Sequence, residues 1–171
     1  MIKINDKVLL GLAAGFLGNI PKTILCTTLN YSGITKQKCS DLASGIFLSK
    51  RTAKTLQGNI FGIMSDFVTA SLDGVALVYF LIHTGKVNKK NALIKGFVSG
   101  QLSFALFRGI FARLGTGKSY PKDILTNTVM NINSSVWGMS TGLLIFLLGN
   151  ESLFKKRKRP EATLSCTPTQ D

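Results

Sequence analysis

Residues 124–150 form a stretch of 27 residues without a charged side chain. About 20 residues of apolar helix suffice to cross the hydrocarbon core of a bilayer, which is about 30 Å thick. Three other apolar segments precede this one, so the predicted spans are 8–31, 58–84, 92–114 and 120–148. The sequence therefore predicts an all-α fold, an integral membrane bundle of four transmembrane helices within residues 1–150.

Charged residues interrupt the first three segments and keep a second interpretation open. They are Lys22 in the first segment, Asp66 and Asp73 in the second, and Lys95 and Arg108 in the third. With these charges the chain could also be a soluble helical bundle. However, a surface helix of a soluble protein has a broad polar face, and none of the four segments has one. The membrane bundle is therefore favoured.

The composition favours a lipid partner over a nucleic-acid partner. In 171 residues there are 21 Lys and Arg but only 8 Asp and Glu. A soluble domain this basic would usually bind nucleic acid. Here the basic residues lie in the gaps between the apolar segments, as they do in membrane proteins. We therefore expect the lipid bilayer as a partner, and no nucleic acid.

The positive charges also predict the orientation of the chain. The N-terminus, the second loop and the tail together carry ten Lys and Arg residues, and the first and third loops carry eight. The basic run at 155–159 directly follows the last segment, where positive charge best holds a terminus in the cytoplasm. The sequence therefore predicts a multi-pass protein of the plasma membrane with both termini cytoplasmic.

Two segments are expected to lie outside the spans. The loop 33–57 is either a short amphipathic helix on the outer membrane surface or a plain solvated loop, and the sequence leaves both interpretations open. The tail 151–171 is basic and poor in apolar residues, so we expect it to be disordered. Its basic start would lie against anionic lipid headgroups, or it would serve only as a stop-transfer anchor.

Metal and enzyme chemistry find little support. The three cysteines, Cys26, Cys39 and Cys166, are scattered and odd in number, which argues against a disulfide framework. The single histidine, His83, has no acidic neighbour at helical spacing, and a zinc site needs four ligands. We therefore expect no metal, no cofactor and no catalytic residue.

Each segment contains a Gly-xxx-Gly pair. The pairs are Gly11/Gly15, Gly58/Gly62, Gly96/Gly100 and Gly138/Gly142. In lipid, helices associate by close backbone approach at such small residues. We expect these pairs to be packing faces, either within the bundle or against a second copy or another membrane protein.

The chain can also be aligned with itself, which suggests two tandem helix hairpins. An offset of 85 residues places Gly11 and Gly15 on Gly96 and Gly100, and an offset of 61 places Asp66 on Asn127. Each half would contain two helices, so the halves would share one orientation, as parallel repeats do.

Polar residues within the spans define the candidate site. They are Lys22, Asp66, Asp73, Arg108, Asn127 and Asn131. A charge at the bilayer centre costs at least about 2.5–3.5 kcal/mol on insertion scales and normally faces a partner inside the bundle. One interpretation is a polar layer that binds an ion or small solute, or relays protons. The favoured one is a structural set of ion pairs, either Lys22–Asp66 with Asp73–Arg108 or the crossed pairs. Pro21, inside the first span, predicts a kink or a break there.

Short motifs of the chain resemble those of a group of small, uncharacterised bacterial multi-pass membrane proteins. They are GLAAG at 11–15, GNIPK at 18–22, GIMSD at 62–66 and TGK at 84–86. The resemblance extends over residues 8–149. It implies a bacterial plasma-membrane protein and no particular activity.

These observations predict a non-enzymatic subunit or accessory of a membrane assembly that acts through helix packing. The alternative is a small transporter or channel that uses the polar layer.

Overall fold

The structure is a computed structural model that describes residues 3–36, 40, 44, 48, 55–85, 87–113 and 123–154. For residues 108, 110–113 and 151 it describes the backbone alone. The helices of these residues are α1 (Lys7–Tyr31), α2 (Leu56–Thr84), α3 (Lys89–Arg113), α4 (Ile124–Leu148) and α5 (Glu151–Phe154). The described part of the chain is therefore all-α, and its only β feature is an isolated bridge between Ile4 and Gly149.

The long helices begin where a side chain caps them. The Asp6 carboxylate accepts hydrogen bonds from the backbone N–H groups of Val8 (2.7 Å) and Leu9 (2.8 Å) at the start of α1. Thr55 caps α2 and Asp123 caps α4 in the same way. Such caps satisfy N–H groups that have no partner within the helix. At its other end α2 stops at Gly85, whose φ of +60° suits glycine.

The observed bounds lie close to the predicted spans, with three local differences. The first α3 residue is Lys89, ahead of the predicted 92, and α4 begins at Ile124, after the predicted 120. α1 continues without a break through Pro21. Residues 151–154 form α5, although the sequence predicts a disordered tail there. The rest of that tail and most of the loop 33–57, with its predicted helix, lie outside the described residues.

The four long helices pack side by side with unequal contacts. α1 packs extensively against both α2 and α4, and α4 packs against both α1 and α3. By contrast, α2 contacts α3 at only a few positions. We call α1 with α2 the first hairpin and α3 with α4 the second hairpin.

Glycines hold each hairpin together by direct backbone contact. A Cβ atom added to Gly74 would lie 2.3 Å from the carbonyl oxygen of Gly11, and one added to Gly138 would lie 2.1 Å from that of Gly96. No real Cβ atom is found so close to an oxygen. The helices therefore approach as closely as they do only because these residues lack a side chain.

The same contact pattern recurs in both hairpins and corrects the predicted repeat. Gly74 lies against Gly11 and Gly15, and Gly138 lies against Gly96 and Gly100. The offset of 85 between α1 and α3 is thus confirmed as a structural one. Gly74 and Gly138, however, are 64 residues apart, so the predicted offset of 61 for the second helix of each hairpin is wrong. That offset depended on apolar identities, which recur by chance in apolar helices.

One end of the bundle is closed by an apolar core, and we call it the terminal end because both chain ends lie there. Six completely buried residues form this core: Leu10, Ala14, Leu77, Val78, Leu81 and Ile145. The N–H of Ile4 donates to the Leu148 carbonyl (2.9 Å), and the N–H of Asn150 donates to the Ile4 carbonyl (3.3 Å). Leu153 and Phe154 of α5 pack against the same core, which explains why this short helix is ordered.

Large apolar side chains cover the outside of the bundle. Every long helix exposes several of them, among them Phe16, Leu17, Ile24, Met64, Val68, Leu72, Phe97, Leu102, Leu106, Leu125 and Ile132. Among the described helices, α1 and α2 are long and apolar enough to cross a membrane, by length and composition. This indicates membrane association. α4 does not pass the same test, because its asparagine, serine and threonine residues lower its mean hydropathy.

The glycine contacts lead to a prediction of stability. Gly138→Ala would force a methyl group against the Gly96 carbonyl, and overpacking of this kind costs about 1–3 kcal/mol. We expect the variant to lose about 2 kcal/mol of unfolding free energy, measured by circular dichroism in detergent. The control is Gly109→Ala in α3, where an added Cβ meets nothing within 4 Å. It should be neutral or gain up to about 1 kcal/mol from helix propensity. Equal losses in both variants would contradict the close-contact argument.

Candidate functional site

An ion pair joins the two helices of the first hairpin near their middle. The Lys22 ammonium nitrogen lies 2.6 Å from Asp66 Oδ1. The Asn19 side-chain amide donates to the other carboxylate oxygen of Asp66 at 2.9 Å. Asn19 and Lys22 are three residues apart and therefore share one face of α1. The predicted Lys22–Asp66 pair is thus present, and an amide that the prediction did not include completes it.

The three side chains differ in burial. Asn19 is completely buried, whereas the side chains of Lys22 and Asp66 keep 15% and 21% of their exposure. The Oδ1 atom of Asn19 is buried and accepts no hydrogen bond from the described residues. An acceptor left in that state costs about 1–3 kcal/mol, so the contact with Asp66 holds Asn19 in a position unfavourable for its own oxygen.

A second carboxylate lies on the same face of α2, two turns further on. Asp73 accepts a side-chain hydrogen bond from Ser103 of α3 and is attracted by the Lys22 ammonium. This bond crosses the sparse contact between α2 and α3. We call Asn19, Lys22, Asp66, Asp73 and Ser103 the polar cluster.

The remaining predicted residues do not join the polar cluster. Asn131 of α4 forms a reciprocal amide pair with Gln101 of α3, at 2.9 and 3.1 Å. Asn127 donates to the Asp123 carbonyl at the start of α4. Arg108 lies on α3, but its side chain is outside the described part of the structure, and so is its predicted pairing with Asp73. The described residues therefore contain two separate polar groups, one in each hairpin.

The second hairpin has apolar residues where the first has its polar cluster. Under the offsets of 85 and 64, Asn19, Lys22, Asp66 and Asp73 correspond in that order to Phe104, Phe107, Met130 and Trp137. Trp137 is almost completely buried. The same backbone arrangement is thus built once with charges and once without them. The hairpin scaffold itself does not require Lys22, Asp66 or Asp73.

The amide pair of the second hairpin has an apolar counterpart in the first. Gln101 and Asn131 correspond to Phe16 and Phe67, whose ring centroids are 4.8 Å apart. A contact therefore exists at this position in both hairpins, but its chemistry differs. This agreement between two unrelated pairs supports the offsets that the glycine contacts indicate.

Sequence reasoning missed three features. Asn19 could have been found from its spacing to Lys22, but Ser103 could not, because no local pattern indicates which helix faces Asp73. Cys26 is disulfide-bonded and almost completely buried, so the expectation of no disulfide is wrong for this residue. The other two cysteines lie outside the described residues. Among the described positions, no group of three His, Cys, Asp or Glu side chains could hold a metal ion.

Comparisons with known proteins leave the chain without a relative. No family model matches it, no curated protein is significantly similar in sequence, and no solved structure has a significantly similar fold. The resemblance to small bacterial multi-pass proteins therefore stays a prediction.

The hairpin comparison predicts how the ion pair responds to substitution. Lys22→Phe or Asp66→Met alone leaves one charge without its partner. A fully buried pair broken in this way costs about 3–5 kcal/mol, and we expect about 2–3 kcal/mol here because both side chains are partly exposed. The double variant installs the residues of the second hairpin and should recover most of this loss.

The measurement is a double-mutant cycle of unfolding free energies in detergent. Asn131→Ala serves as the control, because it alters the other hairpin and should combine additively with either change. A double variant as unstable as the sum of the two single variants would contradict the equivalence of the hairpins.

Proposed function

We propose that this chain is a four-span protein of the plasma membrane that acts, without catalysis, as a subunit or accessory of a membrane assembly. The observation that carries this proposal is the distribution of side-chain size. Small residues and polar residues lie between the helices, while Leu, Ile, Phe and Val cover the outside. A soluble bundle normally has the opposite arrangement, and monomeric soluble proteins rarely expose so much contiguous apolar surface.

The polar content of α4 does not oppose a membrane span, because its polar side chains face other helices. Thr126, Asn133 and Thr141 are completely or almost completely buried, and Thr141 lies against Gly18 of α1. Asn131 is paired with Gln101. A helix enclosed by two neighbours needs only a narrow lipid-facing strip, so average hydropathy underestimates its suitability for a membrane.

The orientation is supported by both ends of α1. Residues 3–6 and 149–154 meet at the terminal end, so both chain ends lie on one side, which the positive charges assign to the cytoplasm. Cys26 lies near the opposite end of α1 and is disulfide-bonded. Disulfides persist mainly outside the cytosol, which fits an external location for that end. The basic run at 155–159 would then face the anionic headgroups of the inner leaflet.

The closed terminal end favours an assembly role over transport. A transporter or channel needs a polar path through the bilayer, yet the core around Leu10, Leu77 and Ile145 has no exposed surface. The glycine pairs of α1, α3 and α4 pack within the chain. A partner or second copy would therefore contact the apolar outer surface of the bundle.

The second candidate function is transport of an ion or small solute. The apolar counterparts of Lys22, Asp66 and Asp73 in the second hairpin favour it, since residues not needed for the scaffold suggest another use. We expect Asp66→Asn and Asp73→Asn to lower the yield of folded protein while leaving ion and proton flux into proteoliposomes unchanged. Loss of a measurable wild-type flux in both variants, at normal yield, would instead support transport.

The proposed orientation predicts the behaviour of reporter fusions. Alkaline phosphatase, which is active only outside the cytoplasm, should be inactive when fused after residue 154 and active when fused within residues 114–122. Green fluorescent protein at the same two positions should give the reverse pattern. Membranes washed at high pH should retain the protein. An active phosphatase at the C-terminal fusion would overturn the orientation, and release by the wash would overturn the membrane location.

A further inference from the structure

The polar cluster carries unbalanced charge. Among its described side chains, two carboxylates, Asp66 and Asp73, share one cation, Lys22. The ammonium is engaged with Asp66 at 2.6 Å, while Asp73 has a neutral donor, Ser103. The cluster is thus one positive charge short. An uncompensated charge in an apolar interior is costly enough that such groups normally neutralise or find a counter-ion.

Asn19 indicates what kind of group is missing. Its Oδ1 atom is an acceptor without a donor among the described residues, and it belongs to the amide that contacts Asp66. Asn19 is completely buried, so no molecule as large as water touches it. A dehydrated alkali cation or a proton is small enough to enter, whereas an organic solute is not. Carboxylate, amide and hydroxyl oxygens are also the ligands that hard cations prefer.

Helix packing does not explain the charges. At the corresponding positions the second hairpin has Phe104, Phe107, Met130 and Trp137, and it keeps the same glycine contacts. A cluster that existed only to fix helix register would have a charged or polar equivalent there. The first hairpin therefore bears the cost of charge for a reason other than its fold.

We propose that the polar cluster binds one monovalent cation, either a proton or a dehydrated alkali ion such as Na⁺, which balances the carboxylate that Lys22 leaves uncompensated. This goes beyond the assembly role and rests on the proposed membrane location, because water would otherwise solvate Asp73. Lys22 acts as a fixed counter-ion in the same site. The charged groups that face Asp73 among the described side chains are Lys22 from α1 and Asp66 from α2.

The test measures the melting temperature of the detergent-purified full chain. One series compares NaCl with choline chloride at constant ionic strength, and another lowers the pH in choline chloride from about 9 to about 5. A ligand at about 100 times its Kd should raise the melting temperature by about 5–10 °C in a chain of this size. A rise with Na⁺ identifies an alkali ion, and a rise only at low pH identifies a proton.

Charge counting sets the variants. Asp66→Asn and Asp73→Asn each leave one carboxylate for Lys22, so both should abolish the dependence, and either suffices if the other does not fold. Lys22→Met leaves two carboxylates and should steepen the dependence. The matched control is Asp123→Asn, which removes a carboxylate outside the cluster and keeps a good helix cap. It should respond as the wild type does, with the contributions of His83 and other titrating groups unchanged.

Two results would overturn the proposal. The first is a wild-type melting temperature that is the same in all conditions, especially if Arg108→Gln then creates a cation dependence, since the missing charge would belong to Arg108. The second is a dependence that persists in both aspartate variants. If the protein instead remains soluble without detergent, the membrane location has failed, and this outcome is read separately from the melting curves.

Discussion

Backbone contact between helices is the constraint on which the rest of this structure depends. In lipid, apolar side chains gain little by leaving the bilayer for a protein interior, so helices associate where their backbones approach closely. Gly74 and Gly138 permit that approach at the centre of each hairpin. The interior is then too narrow for large side chains, which explains why Leu, Ile and Phe lie outside. Each glycine weakens its own helix by about 1 kcal/mol relative to alanine, and only the contact offsets this.

The repeated glycine contact also separates what the scaffold needs from what it carries. Two hairpins with one backbone arrangement hold different side chains at the same depths: an ion pair opposite Phe107 and Met130, and an amide pair opposite Phe16 and Phe67. Each hairpin thus serves as an internal reference for the other. The comparison gives the charges of the first hairpin a significance that neither their burial nor their pairing would give alone.

Much of the fold could be predicted from the sequence, because apolar length and glycine spacing are local properties. The four helices and the glycine faces follow from them. The pairing of Lys22 with Asp66 was predictable because an intramembrane charge needs an opposite charge nearby. Ser103 was not, since no local pattern reveals which helix lies beside Asp73. The disulfide of Cys26 was obscured by an odd number of cysteines, and α5 is too short to leave a periodic signal.

The bridge between Ile4 and Gly149 has a consequence for biosynthesis. The first residues to leave the ribosome find their hydrogen-bond partners only after the last long helix has been made, since those partners are the Leu148 carbonyl and the Asn150 amide. The N-terminal segment must therefore wait unpaired through the insertion of every helix. Closure of the terminal end is a post-translational event, and a chain truncated before α4 would leave this seal open to the cell's quality-control machinery.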